Sequence, residues 1–153
     1  MKHRIHLRRE IPSGSSGRGL KGAAQLVLEQ ARARPSELTI VLTDSRRIRR
    51  LNARFAGEDA VTDVLAFPSV DEASASHRRY LGDIVIALPR ARAQARRSRV
   101  PLAQELCLLA VHGTLHLIGH DHARRAERQR MWRLQSSALR RLGLDPDRLG
   151  VGS

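Results

Sequence analysis

The sequence predicts a single α+β domain over residues 1–153, with one mixed sheet of about four strands packed with about five helices. Three observations point there. A length of 153 residues suits one hydrophobic core. An apolar fraction of 41% is enough to fill that core, which argues against disorder. Short β-branched runs alternate with longer stretches of helical periodicity, in mixed order and without an internal repeat.

HRIHL (residues 3–7) alternates polar and apolar side chains and reads as a first strand. PSGSSGRG (12–19) is a Gly/Ser loop, too short to link two domains; residues 20–33 then read as a helix ending before Pro35. LTIVL (38–42) is a short β-branched run, hence a buried strand. Asp44 is placed to cap the next helix, whose Ile48, Leu51 and Phe55 form one apolar stripe. TDVLAFP (62–68) reads as a third strand stopped by Pro68, and VDEASASHRRY (70–80) as a polar, mobile loop. LGDIVIAL (81–88) is the fourth strand. Pro89 suits the first turn of a basic helix reaching about Arg99. The penultimate helix runs from Pro101 to Ile118, with Gly119 as its stop. A last helix covers roughly 123–142, with Met131, Leu134, Ala138 and Leu142 on its inner stripe, and a polar tail from about 145 to 153 is expected to fray.

Aromatic residues make up only 3% of the chain, so aliphatic side chains must form the interior, and a base-stacking platform is disfavoured. The single cysteine, Cys107, excludes an intrachain disulfide and lies in the apolar run LCLLA, where a buried inert thiol is expected. Residues 1–10 are charged and carry no apolar signal core, and no run approaches a membrane span; a cytoplasmic address follows by elimination. The charge is more telling. Against 15 acidic residues stand 28 basic ones, nearly all arginine, for a net charge of +13. Guanidinium groups match phosphate oxygens, so a polyanionic partner is favoured. An arginine-rich genome accounts for any one of these residues better than for the whole excess. An anionic membrane surface is less favoured, because no basic amphipathic anchor stands out.

Four of seven histidines fall between residues 112 and 122, in VHGTLHLIGHDH. Side chains four apart on a helix share a face, so His112 and His116 project toward a common point. A turn at Gly119 can fold His122 back toward them. The spacing HxxxHxxGxxH therefore predicts a one-ion site, most simply Zn2+, on the penultimate helix and its following turn. Three protein nitrogens leave a fourth position open for water. His120 falls outside the shared face; surface residue, hydrogen-bond partner and alternative ligand all remain open for it. Asp121 reads better as a hydrogen-bond acceptor behind the ligands than as a ligand itself. Zinc peptidases of the HExxH kind carry a glutamate base after the first histidine, where this chain has Gly113.

HGTLHLIGHDH resembles the signature of the YbeY family, bacterial endoribonucleases that mature ribosomal RNA. LNARFAGEDAVTDVLAFP (51–68), LGDIVIAL (81–88), Glu127 and Met131 are similar to the family pattern in order and spacing. The resemblance implies a single α+β endoribonuclease domain, zinc held by His112, His116 and His122, and action on single-stranded RNA. Two positions depart from the pattern: the arginine that follows the aromatic of the LNxx[FY] motif is Ala56 here, and the proline before Thr-Asp is Val61.

Together with these residues, the resemblance implies metal-dependent hydrolysis of RNA phosphodiesters, in ribosomal RNA maturation and ribosome quality control, with the ribosomal subunit as partner. Arg90, Arg92, Arg96, Arg97 and Arg99 are candidates for holding the RNA backbone without reading sequence. For a general base the sequence offers only Asp83 and Asp121. The alternative is a ribosome-associated RNA-binding metalloprotein with weak or no nuclease activity. A peptidase is disfavoured by Gly113 and by the basic charge.

Overall fold

The computed structural model describes residues 2–12, 17–56, 62–69, 77–121 and 123–149. In chain order the elements are β1 (Arg4–Arg9), α1 (Arg18–Gln30), β2 (Ser36–Thr43), α2 (Ser45–Ala56), β3 (Val64–Pro68), β4 (Arg79–Ala87), α3 (Leu88–Ser98), α4 (Leu102–Leu117) and α5 (Arg125–Arg141). The α+β expectation holds, with a four-stranded mixed sheet and five helices among the described residues.

The sheet order is β1-β2-β4-β3, with β1, β2 and β4 parallel and β3 antiparallel to β4. β2 and β4 are central and covered on both faces, which explains their near-continuous apolar runs. Leu38, Ile40 and Leu42 of β2, with Ile84 and Ile86 of β4, meet α1 and α4 in the main core. The alternate residues Val41, Val85 and Ala87 form a smaller cluster with Ile48 of α2 on the opposite face. Each fully buried Leu or Ile contributes about 1.5–3 kcal/mol relative to exposure.

Local chemistry sets several boundaries. Asp44 Oδ1 accepts the Arg47 N–H at 2.7 Å, the cap the sequence predicts for α2. Pro89 sits in the first turn of α3, where a missing N–H costs nothing. Arg99 closes that helix in the left-handed region, at φ 57°.

Some expectations shift. Phe55 was expected on the inner stripe of α2 but is 60% exposed, because the cluster beneath α2 is small and Ile48 fills it. Its ring instead meets Phe67 edge-on, with centroids 5.5 Å apart. β4 begins at Arg79, so the end of the expected mobile loop is strand; residues 70–76 lie outside the described part. Leu88 leaves the fourth strand to start α3. The tail does not fray from 145. Its chain turns at Pro146 and buries Leu149 to 3% exposure in the main core; residues 150–153 lie outside the described part. Cys107 is half-buried, with Sγ 3.6 Å from the Gly19 carbonyl oxygen, and burial pushes its thiol pKa up, as an inert thiol requires. Among the described residues no helix is long and apolar enough to cross a membrane.

Candidate metal centre

Helix α4 reaches the sheet through a glycine. A Cβ on Gly113 would lie 2.5 Å from Ile84 Cγ2, so α4 sits closer to β4 than any side chain at 113 permits. The glutamate that HExxH peptidases carry at this position is excluded sterically.

With Gly113 against the sheet, His112 and His116 stand half-buried on a flank of α4. Their Nε2 atoms lie 3.1 Å apart, and the rings cross at 71° with centroids 4.6 Å apart. His112 Nδ1 is hydrogen-bonded to Gln135 Oε1 of α5. A carbonyl oxygen only accepts, so Nδ1 carries the hydrogen and Nε2 presents its lone pair toward His116. Two Zn–N arms of about 2.0–2.1 Å at a tetrahedral angle place ligand nitrogens about 3.3 Å apart, close to the observed spacing. The donor set therefore fits a divalent ion. Among the described residues no group of three His, Cys, Asp or Glu side chains converges, and the expected third ligand, His122, lies outside the described residues.

The turn after α4 follows the expected logic. Gly119 adopts φ +104°, open to glycine and strained for other residues. Its N–H donates to the His116 carbonyl oxygen at 3.0 Å, and the His120 N–H donates to that of Leu115 at 3.0 Å. This pairing is a Schellman closure, which satisfies two carbonyls at the helix end and sends the chain sharply away. His120 is half-buried and borders a cavity of ≈460 Å³ shared with α1 and α5, including Val27 and Leu134. Burial, and then the Arg130 charge, hold its imidazole pKa below the ordinary value. It also borders a second hollow of ≈470 Å³ with Asp121 and Glu127. Asp121 is exposed.

Other candidates are not gathered here. Ile84 points at α4, so its neighbour Asp83 faces the other side of the sheet, toward α2. There Asp83 Oδ1 accepts from Tyr80 OH at 2.5 Å, and Thr39 Oγ1 lies 2.8 Å from the same hydroxyl. Burial, with the Asp83 bond, pushes the Tyr80 phenol up to about 12. Asp83 is thus a carboxylate on the sheet face opposite the one that Ile84 presents to α4. The α3 arginines do not form one track. Arg90 Nε is paired with Asp63 at 2.9 Å, and Arg97 donates to Gln94 Oε1 at 2.9 Å. Arg92, Arg96 and Arg99 project from the other flank at helical spacing, and Arg96 and Arg99 are exposed.

Two polar residues were missed by sequence reasoning. Gln135 has no local signal, because its meeting with His112 depends on how α5 crosses α4. Gln135→Leu is expected to lower zinc affinity roughly 10–100-fold with the fold intact, as read by competition with a chromogenic chelator. Glu105 does carry a signal, an acid on the apolar face of α4 one heptad before His112. It is 2% exposed, and its Oε2 has no hydrogen-bond partner among the described residues. Burial, and then the Asp63 charge, raise its carboxyl to about 7 from an ordinary 4.5. The folded state then holds this proton more tightly than the unfolded chain. Stability falls as pH rises from 4.5 to about 7 and levels off above. Glu105→Gln is expected to raise the Tm at pH 8 relative to wild type and to leave it nearly unchanged at pH 4, as read by thermal melts.

The endoribonuclease YbeY family profile matches residues 8–143. Relatives named endoribonuclease YbeY include one from Persephonella marina, 40% identical over 136 residues covering 87% of this chain and 88% of that one. Another, from Sulfurihydrogenibium sp., is 41% identical over 122 residues, covering 79% and 80% of the two chains. A third, from Gloeobacter violaceus, is 52% identical over 102 residues, covering 64% and 53%. The solution structure of a Thermotoga maritima protein, TM1509, superposes with a TM-score of 0.58 at 22% identity, covering 91% of each chain, and corroborates the fold.

Proposed function

The chain belongs to the endoribonuclease YbeY family, and from that premise we propose that it is a zinc-dependent endoribonuclease of single-stranded RNA. It acts in this reading in the cytoplasm on ribosomal RNA, during maturation and ribosome quality control, with a ribosomal subunit as partner. One observation carries the metal dependence: two imidazole Nε2 atoms 3.1 Å apart, one of them with its tautomer set by a glutamine.

His112 and His116 would hold the ion, with His122 of the HxxxHxxGxxH motif as the third ligand. A bound zinc ion supplies a Lewis acid for a phosphate oxygen and brings the pKa of its water to about 7. Gln135 keeps the His112 ring in register and the ring hydrogen on Nδ1 rather than Nε2. Gly113 leaves the site without the carboxylate that peptide hydrolysis employs. Arg96 and Arg99, both exposed on one flank of α3, are suited to hold backbone phosphates, and the net charge of +13 draws the strand in.

A second reading keeps the metal and drops the cleavage: an RNA-binding metalloprotein of the ribosome. It is favoured by Ala56, where the family pattern has arginine, and by the placement of Asp83 on the sheet face opposite the one that meets α4. Incubation with structured ribosomal RNA and with a peptide library separates the readings. Cleavage of RNA alone, lost on chelation and restored by zinc, supports the nuclease. Tight binding without cleavage by the zinc-loaded protein replaces it with the second reading, and cleavage of peptides overturns both.

A further inference from the structure

Between the edge strand β1 and helix α1 runs a groove of ≈780 Å³. Arg4 and Arg9 of β1, Lys21 of α1 and Arg78 line it, and among the described residues no Asp or Glu does. Arg4 and Arg9 are five residues apart on β1, so their backbones are separated by about 16 Å; by alternation Arg9 shares the α1-facing side with Ile5 and Leu7, and Arg4 borders the groove from the start of the edge strand. A single phosphate cannot engage both ends, and a linear polyanion can. Between them Ile5 and Leu7 form a partly buried aliphatic floor. Opposite lies Gly22, where an added Cβ would meet nothing within 4 Å. Cations spaced along an aliphatic floor match the alternation of phosphate and sugar in a nucleic-acid strand. Among the described lining residues there is no Phe, Tyr or Trp, and the one ring, His3, is buried, so the groove carries no stacking platform for bases.

The wall contributes one more group. His3 is 2% exposed, and its Nδ1 accepts the Ser36 N–H at 3.2 Å. The ring's hydrogen is therefore on Nε2, which has no partner among the described residues. Burial, and then the Lys2 charge, hold the imidazole pKa below the ordinary value, which keeps the ring neutral. Glu29 is a carboxylate near enough to His3 to oppose that shift, yet it does not line the groove.

We propose that the β1–α1 groove is a second RNA-binding site that holds the phosphodiester backbone of a single strand without reading its bases. The assignment of RNA over another polyanion rests on the nuclease reading above. Helix α1 packs against both β1 and α4, so at least one helix diameter, about 10 Å, separates this groove from the histidine helix. A strand engaging both sites wraps over α1.

The test is binding of polyuridine by fluorescence anisotropy, with chelator present so that cleavage plays no part. Arg4→Glu combined with Lys21→Glu is expected to weaken binding at least tenfold at about 0.1 M salt. The loss of two contacts should lower the slope of log K against log salt by about 1.4. Gly22→Trp, which obstructs the groove without changing charge, should weaken binding in the same direction. A control reversing Arg140 and Arg141, exposed at the end of α5, should lose much less. Equal loss in the control, or unchanged affinity in both groove variants, overturns the proposal. Competition by inorganic phosphate or polyglutamate as effective as by RNA overturns the assignment to RNA. Because binding is read without cleavage, an inactive wild type whose affinity drops in the groove variants refutes the nuclease reading and leaves the groove standing as an RNA site.

Discussion

Gly113→Glu is expected to destabilise the fold severely, although it would write the HExxH pattern of a zinc peptidase into the chain. The new Cβ alone meets Ile84 Cγ2 at 2.5 Å, with Cγ1 and Cδ1 at 3.1 and 3.2 Å. Ile84 is wholly buried in the main core and cannot yield without moving its neighbours. Overpacking of this kind costs about 1–3 kcal/mol, and a carboxylate pressed against the sheet adds a desolvation cost of at least a similar size. The better helix propensity of glutamate returns less than about 1 kcal/mol. A net loss near 4 kcal/mol consumes much of a stability of about 5–15 kcal/mol. Circular dichroism melts check this. A stably folded variant, with or without peptidase activity, would show that α4 can lift from β4 cheaply.

The second large effect concerns the metal. In His116→Ala, zinc content is expected to fall from about one equivalent to near zero, and RNA cleavage to fall by more than the roughly 10–100-fold assigned to a partner behind the ligands. The helix should survive, since alanine is its best former and His116 is only half-buried. A readout independent of activity is available. Zinc, if bound by the native state alone, should raise the wild-type Tm through linkage, whereas the Tm of the variant should be insensitive to chelator. Equal zinc content in the two proteins would move the site away from the α4 pair.

Features set by a few consecutive residues were legible in the sequence. Asp44, Pro89 and Gly119 fix their boundaries through a cap, a missing N–H and a positive φ, none of which needs a distant partner. The strands were legible because a β-branched run has few other uses. Which face of a strand meets which helix was not. Alternation places Asp83 and Ile84 on opposite sides, but only the crossing of α4 over β4 at Gly113 decides which of them looks toward the histidines. Phe55 failed similarly: its position on the stripe was right, and the shallow cluster under α2 left it outside. The site divides along the same line. The i, i+4 pairing of His112 and His116 is a helical property and could be read directly. Gln135 acts from another helix across 23 residues of sequence, and no local pattern announces it.

That glutamine has a consequence for the order of events at synthesis. Chains emerge amino-terminus first, and a nascent polypeptide released as far as residue 122 already contains every imidazole of the motif. It lacks the carbonyl that orients the first of them, which arrives only once α5 has emerged and docked. If the site takes zinc as proposed, ion capture at full strength waits until α5 has been made and docked, and a product terminated before Gln135 would carry the motif while remaining a poor competitor for zinc.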